Sequence, residues 1–108
     1  MGEILEKPGR RAEVKVARDE LVLFEFRMAP RTDGASPHFH KQHVDSFYVL
    51  EGEVEFTLES GVVTAGPGTF VSAPPGTLHG FGTRGPGRAR VLNVHAPDAG
   101  FANSLRRQ

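Results

Sequence analysis

Five histidines occur in this 108-residue chain, and three of them, His38, His40 and His43, lie within six positions. In an extended segment the side chains at i and i+2 point to the same face. His38 and His40 therefore present two imidazoles side by side, as two ligands of one metal must. Asp45 follows His40 at an odd spacing, so a loop or bulge must intervene before its carboxylate could join that face.

Two or three imidazoles with one carboxylate form a ligand set that suits one divalent transition metal. Fe, Mn, Ni, Cu and Zn all accept such donors, with positions left open for a substrate or oxygen. An isolated His-x-His pair has a plainer interpretation, because short motifs often occur by chance in surface loops. In that interpretation His79, which stands alone in the sequence, is a structural histidine.

Glycine and proline residues and Asp45 lie at defined spacings from these histidines, and they form two sets. The two spaced sets are His38-x-His40-x4-Asp45-x6-Gly52 and Gly68-x5-Pro74-x-Gly76-x2-His79. They cover about 38–52 and about 68–83, and they resemble the first and second motifs of the cupin superfamily. The chain looks similar to small single-domain, quercetin-dioxygenase-like cupins. It departs from the family pattern in having Thr32 for a glycine, Asp45 for a glutamate and Thr83 for an asparagine.

The resemblance implies a ligand set and a fold. The metal ligands carried over are His38, His40, His79 and Asp45, with His43 as an alternative to Asp45 for completing the site. Asp45 would be a ligand, or a catalytic base if it detaches. The implied fold is a double-stranded β-helix, the jelly-roll barrel of cupins, which often forms a homodimer.

The periodicity of the chain independently predicts an all-β protein of many short strands. Residues 54–58 alternate most regularly between apolar and polar, and 21–28 and 88–96 are further strands. Residues 1–12 are expected to be polar and loose, apart from Ile4 and Leu5, and the Asp-Gly and Ser-Pro pairs within 33–37 to form a loop. A short helix is expected at the C-terminus, over residues 98–107.

Three further residues are candidates for binding a substrate. By parity along the strands, Phe47 shares a face with Asp45, and Phe81 shares one with His79. The interpretation as ordinary core applies instead to Phe24, Phe26, Met28, Phe56 and Phe70. His95 lies on the last strand, where it could act as an acid or base beside the site or have a structural role.

Composition narrows the class of protein. Thirteen basic and thirteen acidic side chains give zero formal net charge, which disfavours nucleic acid as a partner. The chain has no cysteine and no long apolar run, so we expect no disulfide, no thiolate site and no membrane span. We expect one domain over residues 1–108 and a cytoplasmic location.

The expected function is that of a metal-dependent enzyme acting on a small molecule. The resemblance implies a dioxygenase-like oxidoreductase that cleaves an enol or catechol-type substrate able to chelate the metal. The same ligands would also serve an isomerase, a cyclase or a lyase. A cupin that binds a small ligand without catalysis is the alternative from a different class.

Overall fold

The computed structural model of the protein describes residues 3–38, 44–74 and 79–97, of which 35–38 and 79 are described by their backbone. This part of the chain forms ten strands. No helix able to span a membrane is found among the described residues. The strands are β1 Ile4–Lys7, β2 Arg10–Ala17, β3 Val22–Met28, β4 Asp33–His38, β5 Val44–Glu51, β6 Val54–Leu58, β7 Gly61–Ala65, β8 Phe70–Ala73, β9 His79–Gly82 and β10 Ala89–Ala96.

The strands form two antiparallel sheets. The larger has the order β1-β2-β3-β10-β5-β8, and the smaller has the order β4-β9-β6-β7. The last strand, β10, thus lies in the middle of the larger sheet, between β3 and β5. The all-β antiparallel fold predicted from the periodicity is confirmed. The predicted C-terminal helix at 98–107 lies outside the described residues.

Alternating side chains from both sheets fill the interior. Burial alternates along the whole of β10, as expected for a strand with one face on the core. Four phenylalanine rings from four strands meet in the middle, with centroid separations of 4.9 Å for Phe47–Phe81, 5.0 Å for Phe47–Phe56 and 5.6 Å for Phe26–Phe81. These contacts hold the two sheets together face to face.

The expectation of a loose N-terminus over residues 1–12 is wrong for its described part. Ile4–Lys7 forms β1, which pairs with β2 in the register Ile4 to Glu13. Leu5 packs against the core from this edge strand. The segment forms a strand because Leu5 reaches the core and β2 supplies a row of backbone partners.

The loop expected within 33–37 is also corrected, because these residues belong to β4 and pair with β9. The strand is irregular, and its register shifts on both sides of Ala35. At Gly34 any Cβ would overlap the ring of Phe81. Glycine therefore allows β4 to approach the aromatic core closely, a requirement of packing that turn statistics do not reveal.

A buried carboxylate organises the outer face of the large sheet. Glu25 on β3 is 5% exposed, and its Oε2 accepts bonds from Nε of Arg27 at 3.1 Å and from Nε of Arg90 at 3.0 Å. Lys15 Nζ lies 3.6 Å from Oε1. Burial by itself would raise the pKa of Glu25, but the bonds from Arg90 and Arg27 outweigh it and hold that pKa below its ordinary value of 4.5.

Because the pKa of Glu25 is lowered by folding, its stabilising contribution is complete above pH 4.5 and is lost as the pH falls through the folded-state value. Glu25→Gln is expected to lower the free energy of unfolding by about 1–3 kcal/mol at pH 7, and to flatten its decline in acid. Urea denaturation at pH 7 and pH 3.5 measures both effects. The matched control is Glu20→Gln, whose exposed side chain bonds Arg18. Equal acid sensitivity of Glu25→Gln and the unmodified protein would contradict the prediction.

Candidate active site

The backbone brings two of the predicted metal ligands opposite one another. His38 is the last residue of β4, and His79 is the first residue of β9. They are Cα partners in the antiparallel ladder, although 41 positions separate them in the sequence. Directly opposed residues in such a ladder have Cα atoms roughly 4.5–5.5 Å apart. The pairing therefore joins the two sequence motifs at one point of the smaller sheet.

Asp45 lies at the same end of the barrel. It is the second residue of β5, reached from His38 by the short segment 39–43. Across the large sheet, its Cα partners are Ala73 at the end of β8 and His95 near the end of β10. The chain leaves β8 at Ala73 and enters β9 at His79, so two of the connections between the sheets, β4 to β5 and β8 to β9, have an end next to Asp45.

The carboxylate of Asp45 belongs to a buried polar cluster, which we define as Asp45, Asn93 and His95. Asn93 Nδ2 donates to Asp45 Oδ1 at 2.6 Å, and His95 Nε2 lies 3.1 Å from that same oxygen. His95 Nε2 is also 3.1 Å from Asn93 Oδ1. The exposed fractions are 2% for Asp45 and 1% for each of the other two residues. A buried carboxylate needs such donors, since burial without them costs several kcal/mol.

The cluster assigns a tautomer to His95. Its Nε2 lies between two oxygen acceptors, the carboxylate of Asp45 and the amide oxygen of Asn93. A protonated Nε2 satisfies both acceptors, whereas a bare nitrogen would face two lone pairs. Asn93 Nδ2 also donates to the backbone oxygen of Ser46 at 3.0 Å, which fixes the orientation of its amide. The cluster is therefore an ordered network rather than three adjacent polar groups.

The predicted substrate-binding residues fall into two groups. His95 lies beside Asp45, and its inward phase along β10 is as expected. Phe47 and Phe81 belong to the hydrophobic core, at 2% and 6% exposure. Whether these two rings also contact a substrate stays a prediction. His40 and His43 lie outside the described residues.

Sequence reasoning missed Asn93 as a functional candidate. The available signal was its phase: Asn93 occupies an inward position of a strand whose other inward residues are Ala89, Val91 and His95. Two polar residues at consecutive inward positions of an otherwise apolar strand face indicate a polar site within the core.

Three other positions of the motifs, Gly52, Gly68 and Thr83, have structural roles in the described part of the chain. Gly52 has φ +78° and lies against the backbone of Arg88, so a side chain there would clash. Gly68 also has a positive φ, +87°. Thr83, which replaces the asparagine of the family pattern, is fully buried. Its Oγ1 donates to the oxygen of Ala29 at 2.7 Å and accepts from the amide of Thr32 at 2.8 Å. These contacts fix the end of β9.

The donor types gathered at this end fit a divalent transition metal. Two histidine positions face each other in the backbone, and a buried carboxylate lies on the adjoining strand. Imidazole and carboxylate are the donors such metals accept, and a carboxylate has about four lone-pair sites over its two oxygens. Among the described side chains, no three histidines or acids form a metal cluster. The full set of His38, His40, His79 and Asp45 stays a prediction.

Comparison with known proteins identifies the family. Residues 24–95, two thirds of the chain, match the family model of the cupin domain. The chain belongs to the cupin family. The matched range contains both predicted motifs and ends at His95 in the buried polar cluster. The double-stranded β-helix implied by the resemblance is thereby confirmed.

The individual proteins that this cupin resembles share only 24–31% of its residues over the matched regions. The quercetin 2,3-dioxygenase of Bacillus subtilis is 31% identical over 52 residues, and the match spans 48% of this cupin and 15% of that protein. The fold is similar to that of KdgF from Halomonas sp., with a TM-score of 0.79 and 24% identity over 88% of this chain and 86% of the other. The polyketide cyclase RemF from Streptomyces resistomycificus gives a TM-score of 0.71 and 30% identity, covering 82% and 65%.

Proposed function

We propose that this cupin is a metal-dependent enzyme acting on a small enol or catechol-type molecule that chelates the metal. The observation that carries the proposal is the meeting of the two motifs: His38 and His79 are ladder partners at the end of the barrel that holds the buried polar cluster. The carboxylate of Asp45 and the imidazole of His95 lie 3.1 Å apart inside an apolar barrel, an arrangement that allows proton transfer. Buried pairs of titratable groups are typical of functional sites, which favours a catalytic role over a purely stabilising one.

The proposed metal ligands are His38, His40, His79 and Asp45. A divalent metal bound there supplies Lewis acidity, which lowers the pKa of a coordinated hydroxyl. Asp45 Oδ1 and His95 Nε2 are close enough to exchange a proton. Asn93 holds both groups in that geometry through its amide. Phe47, two residues beyond Asp45 on the same strand face, supplies an apolar wall that excludes water.

Oxygen-dependent cleavage is the first reaction we propose, in a dioxygenase-like oxidoreductase. The support is the likeness of about half the chain to a quercetin 2,3-dioxygenase. A non-oxidative reaction, namely isomerisation, cyclisation or elimination, is the second candidate. Its support is the buried Asp45–His95 pair, which can move a proton without oxygen, together with 30% identity to a polyketide cyclase.

The proposal is tested first by elemental analysis of the protein as purified without added metal. We expect about one divalent transition metal per chain, as one ligand set can hold one ion. Absence of a stoichiometric metal, and failure of Fe, Mn, Ni, Cu and Zn salts to restore one, would overturn it. Metal-stripped protein is the control for every activity measurement.

Measurements of turnover with and without oxygen then distinguish the two proposed reactions. Oxygen consumption with catechol and enol substrates is expected for the dioxygenase-like reaction, and it should stop under anaerobic conditions. Product formation that continues without oxygen would favour the isomerase or cyclase. A ligand that raises the melting temperature without being turned over would identify a binding module instead. The homodimer stays a prediction, which light scattering in solution would test.

A further inference from the structure

A cleft lies at the end of the large sheet opposite the buried polar cluster. Its volume is about 440 Å³, and it is lined by the last residues of β3 and β5 and the first of β10. This volume is within the range of small-molecule sites, roughly 300–1,000 Å³. Four of its lining residues are charged, namely Arg27, Arg88, Arg90 and Glu51. From Asp45 to Glu51, β5 extends about 20 Å, so the cleft is separate from the candidate active site.

Two of these arginines are held side by side. Arg27 and Arg90 are Cα partners across β3 and β10. Like charges directly opposite one another in a sheet are destabilising. Glu25 offsets this cost, because one of its oxygens accepts a bond from Nε of each arginine. The carboxylate thus fixes two guanidinium groups at the rim of the cleft.

The bonds to Glu25 engage only the Nε atoms. A guanidinium has five N–H donors, so each arginine keeps four on its terminal nitrogens. Within residues 3–38, 44–74 and 79–97, no hydrogen bond donated by the terminal nitrogens of Arg27 or Arg90 is found. The edge formed by two terminal nitrogens is the planar fork that matches the oxygens of a carboxylate or phosphate.

We propose that this arginine cleft binds the oxyanion group, a phosphate or a carboxylate, of a small organic molecule. Three of the charged lining residues are positive and one is negative, and Arg88 adds a third guanidinium beside the pair fixed by Glu25. Glu51 is the ladder partner of Arg90, and its carboxylate offers an acceptor for a hydroxyl of the same molecule. The site requires neither the metal nor the reaction proposed above.

The test is a titration of the full chain with inorganic phosphate and, separately, with citrate, followed by NMR at constant ionic strength. Saturable shifts are expected for the Nε resonances of the cleft arginines with at least one of the two anions. Constant ionic strength is essential because salt screens exposed charges. If both anions give only non-saturable shifts spread over the surface, the proposal is overturned.

Matched variants locate the binding. Arg88 is exposed, so Arg88→Gln leaves the core intact while removing one guanidinium. It is expected to weaken oxyanion binding about tenfold, the loss of one charge-assisted bond. Arg18→Gln makes the same charge change at an exposed site outside the cleft and should leave the affinity unchanged. Equal weakening by both variants would show a non-specific charge effect and overturn the assignment.

Removal of the acidic side chain of Glu51 is expected to change the affinity for an oxyanion in the opposite direction. Glu51→Gln takes away the one negative charge among the described lining residues and is expected to strengthen the binding of inorganic phosphate, which has no need of that carboxylate. A weaker affinity for phosphate in Glu51→Gln would contradict an oxyanion site.

Discussion

Replacing His79 by alanine is expected to lower the affinity for a divalent transition metal by more than about 100-fold, beyond the 10- to 100-fold typical of residues that only orient a ligand. The expectation follows from the proposed function and from the backbone, in which His79 on β9 and His38 on β4 are Cα partners. His38 belongs to the first motif and His79 to the second. The proposed metal site needs ligands from both motifs, so the loss of either imidazole leaves it incomplete. Metal content after dialysis and a competition titration with a chelator measure the effect.

Two further variants decide which residue completes the ligand set. Asp45→Asn keeps the volume of the side chain but removes a charged donor, and is expected to weaken metal binding. His43→Ala should retain the metal, since the proposed set does not include His43. If His43→Ala lost the metal while Asp45→Asn retained it, His43 would replace Asp45 as the fourth ligand. Circular dichroism of each variant shows whether the β-sheet content is preserved.

Phe81→Ala is expected to reduce the free energy of unfolding by about 3–5 kcal/mol. The ring of Phe81 contacts three other aromatic rings, those of Phe26, Phe47 and Phe56, and its truncation leaves a cavity that the two paired sheets cannot close. Urea denaturation followed by circular dichroism measures the loss. A loss below about 1 kcal/mol would contradict the central position of this ring in the core.

Phe70→Ala is the matched control, because the same atoms are removed from a ring that is 63% exposed on β8. It is expected to change the stability by about 0.5 kcal/mol or less. Phe81→Leu then separates packing from function, since leucine fills much of the space. If Phe81 also lines the substrate cavity, this variant should fold but show a higher KM.

The candidate metal ligands could be proposed from local sequence, and their coordination stays a prediction. The spacings around His38, His40 and His79 identify the two motifs, because the family pattern consists of residue types at fixed distances along the chain. Alternation predicted β3, β6 and β10, since a strand with one face on the core must repeat every two residues. It failed at β4, where the close approach of Gly34 to Phe81 depends on a residue far away in the sequence.

What sequence alone determined is therefore the kind of protein, an all-β cupin, and the residue types that could bind a metal. What only the tertiary structure decided is which distant residues meet. The insertion of β10 between β3 and β5 brings Asn93 and His95 to Asp45 at one end, and Arg90 to Arg27 and Glu25 at the other. Strand pairing is non-local, because its register depends on how two whole sheets close over one core. No local pattern along β10 encodes that outcome.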